Sequence, residues 1–253
     1  MSERLIELLF EVHHGLHRQG PGSRESTRKA LGLIPGLPKR PSILDVGCGS
    51  GSQSLDLAEL TGGVVTAVDI HQPFLDQLRT AAEARGLSER VVALKGDMSD
   101  LSGLGLPISS FDLLWSEGAL YSIGLERALR AVRPFLRPGG YLAFTELSWL
   151  TDQRPAEAVS FWNENYPELT DIGGNLERLE SAGFGHLDHF TLPAEDWWRD
   201  YYTPLEAKLT TFERKHSGDP EALQVAAMTR KEINLFQRFS ETYGYVFYVA
   251  RVE

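Results

Sequence analysis

Ser42-Ile43-Leu44-Asp45-Val46-Gly47-Cys48-Gly49-Ser50-Gly51-Ser52 decides how this chain folds. Its apolar opening, Ser42–Val46, reads as a buried strand, and the stretch from Ser52 to Leu60 reads as a helix. Between them lie three glycines at alternate positions. Glycine accepts positive φ and has no Cβ, so at such a turn the backbone can approach a ligand closely. The helix N-terminus is expected to offer unpaired N–H groups to an anion such as a carboxylate. Asp45, ahead of the glycines, suits a ligand that also carries a positive group. The G-x-x-G position counted from Gly49 is Ser52, so the spacing is G-x-G-x-G. That is one residue tighter than the G-x-G-x-x-G of dinucleotide enzymes.

Further strands are expected at Val64–Asp69, Val91–Lys95, Phe111–Trp115 and Tyr141–Leu147, then near Phe184–Leu192 and Tyr245–Val252. Helical spacing recurs between them, as in Leu5, Leu8, Leu9, Val12 and Leu16, or Phe74, Leu78 and Ala81 behind Pro73. The β-α alternation implies a mostly parallel sheet with helices on both faces, a Rossmann-like α/β fold. Ligands of such sheets sit beyond the carboxyl ends of the strands. Asp45, Asp69, Asp97 and Glu117 each fall at or just past a strand end and so converge on one site. Leu205, Leu209 and Phe212, and then Ala222, Val225, Thr229, Ile233 and Phe236, mark two more amphipathic helices. The segment 148–171 is rich in aromatics (Trp149, Phe161, Trp162, Tyr166). One domain over residues 1–253 is the simplest organisation. Residues 1–40 would form a helical segment over the ligand, and 148–171 and 193–242 cap insertions; alternatively the aromatics only fill core.

The chain has 253 residues, 42% hydrophobic and 24% charged, and a net charge of −10. The acidic balance, with Lys and Arg scattered among acids, argues against a nucleic-acid partner. No apolar run is long enough to span a bilayer, and the start does not read as a signal peptide. Cytoplasmic location is the expectation. One cysteine excludes an internal disulfide and a three-cysteine iron–sulfur cluster. Cys48 reads as a small packing residue, although a thiol near a helix start can be reactive. His17 would share a helix face with His13 at i, i+4 or with His14 at i, i+3, but no third ligand is apparent, so no metal site is expected. His186 and His189 would fall on opposite faces of a strand.

Motif, strand order and cap together resemble the class I S-adenosylmethionine-dependent methyltransferases, in the small-molecule group that includes the ubiquinone/menaquinone- and sterol-type enzymes. A set of bacterial and archaeal members is more similar still, carrying R-Q-G-P-G-S, W-S-E-G-A and a closing Y-G-Y-V-F-Y, here Arg18–Ser23, Trp115–Ala119 and Tyr243–Tyr248. The resemblance implies a seven-stranded sheet with the last strand antiparallel. It also implies S-adenosyl-L-methionine as cofactor. Asp45, Gly47, Gly49 and Gly51 would surround its methionine part, with Gln19 and Gly20 closing over that end. Asp69, with Ile70 beside it, would take the ribose hydroxyls, because a carboxylate offers acceptors only. Asp97 would accept from the adenine amino group, Met98 would pack on the ring, and Ser116 would line the methyl-donor face.

Methyl transfer from a sulfonium asks mainly for alignment and exclusion of water. A base is needed only where the acceptor must lose a proton. Glu117 is the first candidate, with Tyr121 on the same face if that segment is helical; Glu146 is a second. The acceptor is expected to be a small molecule, its identity open, and the acidic surface would permit a homodimer. Two alternatives stay open: an NAD(P)-binding oxidoreductase on the same sheet, and a non-catalytic S-adenosylmethionine-binding protein.

Overall fold

The computed structural model describes residues 2–253. Helices α1 (Glu3–His13) and α2 (Arg24–Gly32) come first, capped by the Ser2 and Ser23 hydroxyls, which accept from Leu5 N and Ser26 N. Then follow β1 (Ser42–Val46), α3 (Ser52–Thr61), β2 (Val64–Asp69), α4 (Gln72–Ala84), β3 (Val91–Lys95), β4 (Phe111–Glu117), α5 (Leu125–Val132) and β5 (Leu136–Trp149). The last third adds α6 (Ala156–Asn165), β6 (Thr170–Asp171), α7 (Ile172–Ser181), β7 (Phe184–Thr191), α8 (Ala194–Trp197), α9 (Thr203–Lys215), α10 (Pro220–Phe239) and β8 (Tyr243–Val252).

The strands order as β3-β2-β1-β4-β5-β8-β7. β8 runs antiparallel to both neighbours, and the other main pairings are parallel. This is the expected α/β sheet, with one addition: β6, two residues long, pairs with the end of β5. Two residues carry no alternating pattern by which sequence could reveal them. β4, β5 and β8 also run longer than expected. Trp149 still pairs with Tyr243, because the cap buries the strand ends that would otherwise fray. Among the described residues no helix is long and apolar enough to cross a membrane.

Side chains alternate across the strands, so each strand feeds two cores. Ile43, Leu113 and Trp115 face a core shared with α2, α3 and α4. Leu44, Val46 and Leu114 face another, shared with α5 and α7. A third core joins α1 to α6 and α8–α10 above the strand ends, around Trp162, Trp197, Tyr202 and Phe236. The N-terminal helix is thereby built into the cap. The strand order reverses between β1 and β4.

Candidate functional site

The glycine loop after β1 owes its shape to positive φ at Gly47, Gly49 and Gly51. Its inner contacts leave no room for side chains. A Cβ on Gly47 would overlap Ala119 and approach Met98 Cε to 3.1 Å; one on Gly49 would reach Gln19 Oε1 at 2.5 Å. The loop amides do not stand free as expected. Gly47 N and Cys48 N donate to Val68 O, and Gly51 N to Cys48 O. Gly49 N donates to Asp69 Oδ2 at 2.8 Å, and Ser50 N to Gln19 Oε1 at 2.7 Å. The tight turn folds its own donors inward, onto the next strand and onto the N-terminal segment.

A cavity of about 490 Å³ opens beside this loop. On one side it is lined by Gln19, Gly20, Gly47, Gly49, Asp69, Ile70 and Met98, with Glu117 and Tyr121 next to them. These nine expected residues are brought together. Asp69 Oδ1 accepts from His71 N at 2.8 Å, so each carboxylate oxygen holds one backbone donor and keeps a further lone pair. Burial raises its pKa, and the two backbone donors oppose that.

Four expected residues stand back from the cavity wall. Asp45 is fully buried behind the loop, where it accepts from Ser54 Oγ and its Oδ1 has no partner. Burial pushes its carboxyl up to about 7. Gly51 caps α3 against Leu78. Ser116 donates to Val46 O at 2.8 Å, tying β4 to β1. Asp97 is exposed and accepts from Ser99 N at 2.7 Å, capping the turn that carries Met98. In each case a short polar side chain found a nearer backbone or hydroxyl partner.

Glu117 and Tyr121 do not share an α-helical face, because Glu117 ends β4 and Tyr121 lies on a separate short turn over Leu120–Ile123. Glu117 is enclosed by donors. Arg18 Nη1 gives it an ion pair at 2.7 Å; Trp115 Nε1 and Thr27 Oγ1 donate to its other oxygen at 2.9 and 3.2 Å. Arg18 also lies 3.8 Å from Asp56. Sequence reasoning missed this guanidinium, because nothing in a short basic motif shows that it will be buried. The backbone around it is laced to the loop through Gln19 and through Ser50 Oγ, which donates to His17 O at 3.0 Å.

The opposite wall is aromatic: Phe161, Trp162, Tyr166, Trp197, Tyr201 and Tyr245, with Leu147, Met228, Asn165 and Glu232. Of the expected cap aromatics, Trp149 instead packs edge-on against Tyr243 in the core. Tyr121 faces this wall, its ring 5.5 Å from that of Tyr166. Desolvation, then Glu232 and Glu146, raise the pKa of its phenol, although the residue as a whole is 42% exposed. Glu146 lies in β5 outside the cavity wall, with Oε2 unpartnered, and burial pushes its carboxyl up to about 8.

Other polar residues follow local geometry. His13 contacts Leu9 O and the Tyr201 hydroxyl. Its burial lowers its pKa. His186 and His189 are not on opposite faces. A bulge between His186 and Asp188 shifts the register and sets the two rings 3.1 Å apart, nitrogen to nitrogen. Cys48 is buried, and burial holds its thiol well above the ordinary value; this is the packing role rather than the reactive one.

A family model described as a methyltransferase domain matches residues 43–140. A malonyl-[acyl-carrier protein] O-methyltransferase of Pseudescherichia vulneris is 38% identical over 179 residues, 59% of this chain and 67% of that one. A sterol 24-C-methyltransferase of Gibberella zeae is 27% identical over 190 residues, covering 71% of this chain and 48% of the other. This chain spans about half the length of the sterol relatives it matches. In fold it is similar to a Geobacter sulfurreducens methyltransferase solved with S-adenosyl-L-homocysteine. That TM-score is 0.80 at 20% identity, covering 100% of this chain and 99% of that one.

Proposed function

We propose that this chain, which belongs to the class I S-adenosylmethionine-dependent methyltransferase family, transfers a methyl group from S-adenosylmethionine to a small-molecule acceptor. One observation carries the reading: a Cβ-intolerant glycine loop and the Asp69 carboxylate form one wall of a cavity whose other wall is aromatic. The volume of about 490 Å³ lies in the range of small-molecule sites.

In this reading Gly47, Gly49, Gln19 and Gly20 bound the amino-acid end of the cofactor. Asp69 takes the ribose hydroxyls with its remaining lone pairs. Met98 packs against the adenine, with Ile70 at the edge. Asp45, Gly51, Asp97 and Ser116 act one layer back, fixing the loop, the start of α3, the Met98 turn and the β1–β4 seam. When bound, the cofactor supplies a methyl group on a sulfonium, which an acceptor lone pair displaces in line while the carbon–sulfur electron pair stays on a neutral thioether. The chain supplies alignment and a water-poor site. Glu117 serves as a clamp: it holds Arg18 and so fixes the segment that closes over the loop. Tyr121 keeps its phenolic proton and borders the acceptor. Residues 1–40, 148–171 and 193–242 enclose the site within one domain. The acceptor is a small molecule, and the cytoplasm is the compartment in which it is met.

Calorimetric titration with S-adenosylhomocysteine tests this, with NADH as control. One-to-one binding is expected, weakened about tenfold or more in Asp69→Ala through loss of charge-assisted hydrogen bonds. Heat from NADH with none from S-adenosylhomocysteine would transfer the site to the oxidoreductase alternative.

A further inference from the structure

The aromatic side of the cavity has a charge pattern that the cofactor does not explain. The charged side chains on the cavity wall are the carboxylates Asp69, Glu117 and Glu232 and the guanidinium of Arg18. Arg18 is engaged by Glu117 at 2.7 Å and by Asp56 at 3.8 Å. Asp69 is balanced by two backbone N–H donors. His13 stands near, but burial favours its neutral form.

Glu232, from α10, is different. Its Oε1 accepts from the Tyr202 hydroxyl at 2.8 Å, and among the described residues it forms no ion pair and its other oxygen accepts nothing. The exposed Lys231 lies over the Phe161 ring at 5.4 Å and makes no bridge to it. Glu232 shares the cavity lining with a set of aromatic rings. Phe161 and Trp162 meet edge to face at 4.9 Å, and Tyr121 and Tyr166 stand at 59° to each other. Aromatic faces carry negative quadrupole potential and attract cations, most strongly where water is excluded. Once ionised, the Glu232 carboxylate, which has no counter-ion, adds to the same field, and a bound cation favours that ionised form. An uncharged apolar acceptor would need neither.

We propose that the aromatic chamber bordered by Glu232 binds a substituted ammonium group carried by the methyl acceptor, with Phe161, Trp162, Tyr166 and Tyr121 around the cation and Glu232 as its counter-ion. This rests on the methyltransferase reading, since it assigns the acceptor's side of the same cavity. Burial raises the Glu232 pKa; a bound cation would reverse that penalty.

The test is titration of the S-adenosylhomocysteine-loaded protein with choline and with its uncharged isostere, in which carbon replaces nitrogen. Loading with S-adenosylhomocysteine matters because its sulfur carries no charge, so any cation preference belongs to the acceptor side. Choline is expected to bind about tenfold or more tighter than the isostere. Glu232→Gln still offers an acceptor to Tyr202. It should remove most of that preference and leave S-adenosylhomocysteine affinity within about twofold. Equal binding of the two probes, binding of neither, or a choline affinity unchanged in Glu232→Gln would overturn the ammonium site while leaving the cofactor reading intact. Should Glu232→Gln fail to fold, the wild-type ratio of the two probes decides alone. Absence of S-adenosylhomocysteine binding is a separate failure, of the cofactor reading. Choline and its isostere titrated without it then test the chamber by the same ratio.

Discussion

Removing either partner of the Arg18–Glu117 pair should destabilise the protein and loosen the cofactor end of the site, and removing both should cost less than the two single losses added together. The two side chains are 4% and 5% exposed and 2.7 Å apart. Breaking such a pair from one side leaves a buried charge and costs about 3–5 kcal/mol. Arg18→Met leaves Glu117 with Trp115 Nε1 and Thr27 Oγ1 as neutral donors, so its cost should fall near the lower end, about 3 kcal/mol. Glu117→Gln preserves an acceptor for those donors but leaves Arg18 only Asp56, at 3.8 Å; a similar loss follows. In the double variant neither charge remains, and the coupling energy should be about 2 kcal/mol. Urea unfolding measures the cycle, and calorimetry with S-adenosylhomocysteine gives the affinity of each variant. Both single variants should bind it more weakly, because the Leu16–Gly20 segment then loses its strongest tie to the sheet and relies on the hydrogen bonds made through Gln19, Ser50 and Ser52. The clamp is refuted if Glu117→Gln keeps wild-type stability and affinity but loses turnover, a pattern that would belong to a general base.

Burial pushes the Glu146 carboxyl from its ordinary 4.5 up to about 8. The native state then holds this proton more tightly than the unfolded chain, so the stability it contributes is full at low pH and is lost as pH rises from about 4.5 to about 8. Glu146→Gln should therefore flatten the fall in urea midpoint over that window; an unchanged pH slope would count against the raised value. Asp45, pushed up to about 7, has the same sign and should leave a residual slope. Buried Cys48, its thiol held far from ionisation, should react with an aromatic disulfide reagent far more slowly in the native protein than in urea. Rapid native reaction would show that the loop opens.

Much of the architecture was written locally. Ser42–Val46 and its glycines announce a strand turning into a helix because φ preference and apolar runs act over a few residues. The same locality placed Asp69 and Glu117 at strand ends. It could not say which acids face the cavity. Asp45 and Ser116 have the same kind of strand-end position as Asp69, yet their side chains turn to Ser54 and to Val46 O. The histidine pair on β7 departs from simple alternation because a bulge is a property of two paired strands, and one strand's pattern does not reveal it.

By itself, the sequence determined the sheet, its loop and the class of ligand the loop suits, since each depends on residues within one turn or one strand. Tertiary structure alone decided the pairing of Arg18 with Glu117, 99 positions apart, and the arrival of Glu232 on the wall of the cavity that the glycine loop lines. Both depend on which surfaces meet once α1 and α10 pack into one cap. Burial, counter-charges and empty space come into being only with that packing, and no stretch of chain carries them beforehand.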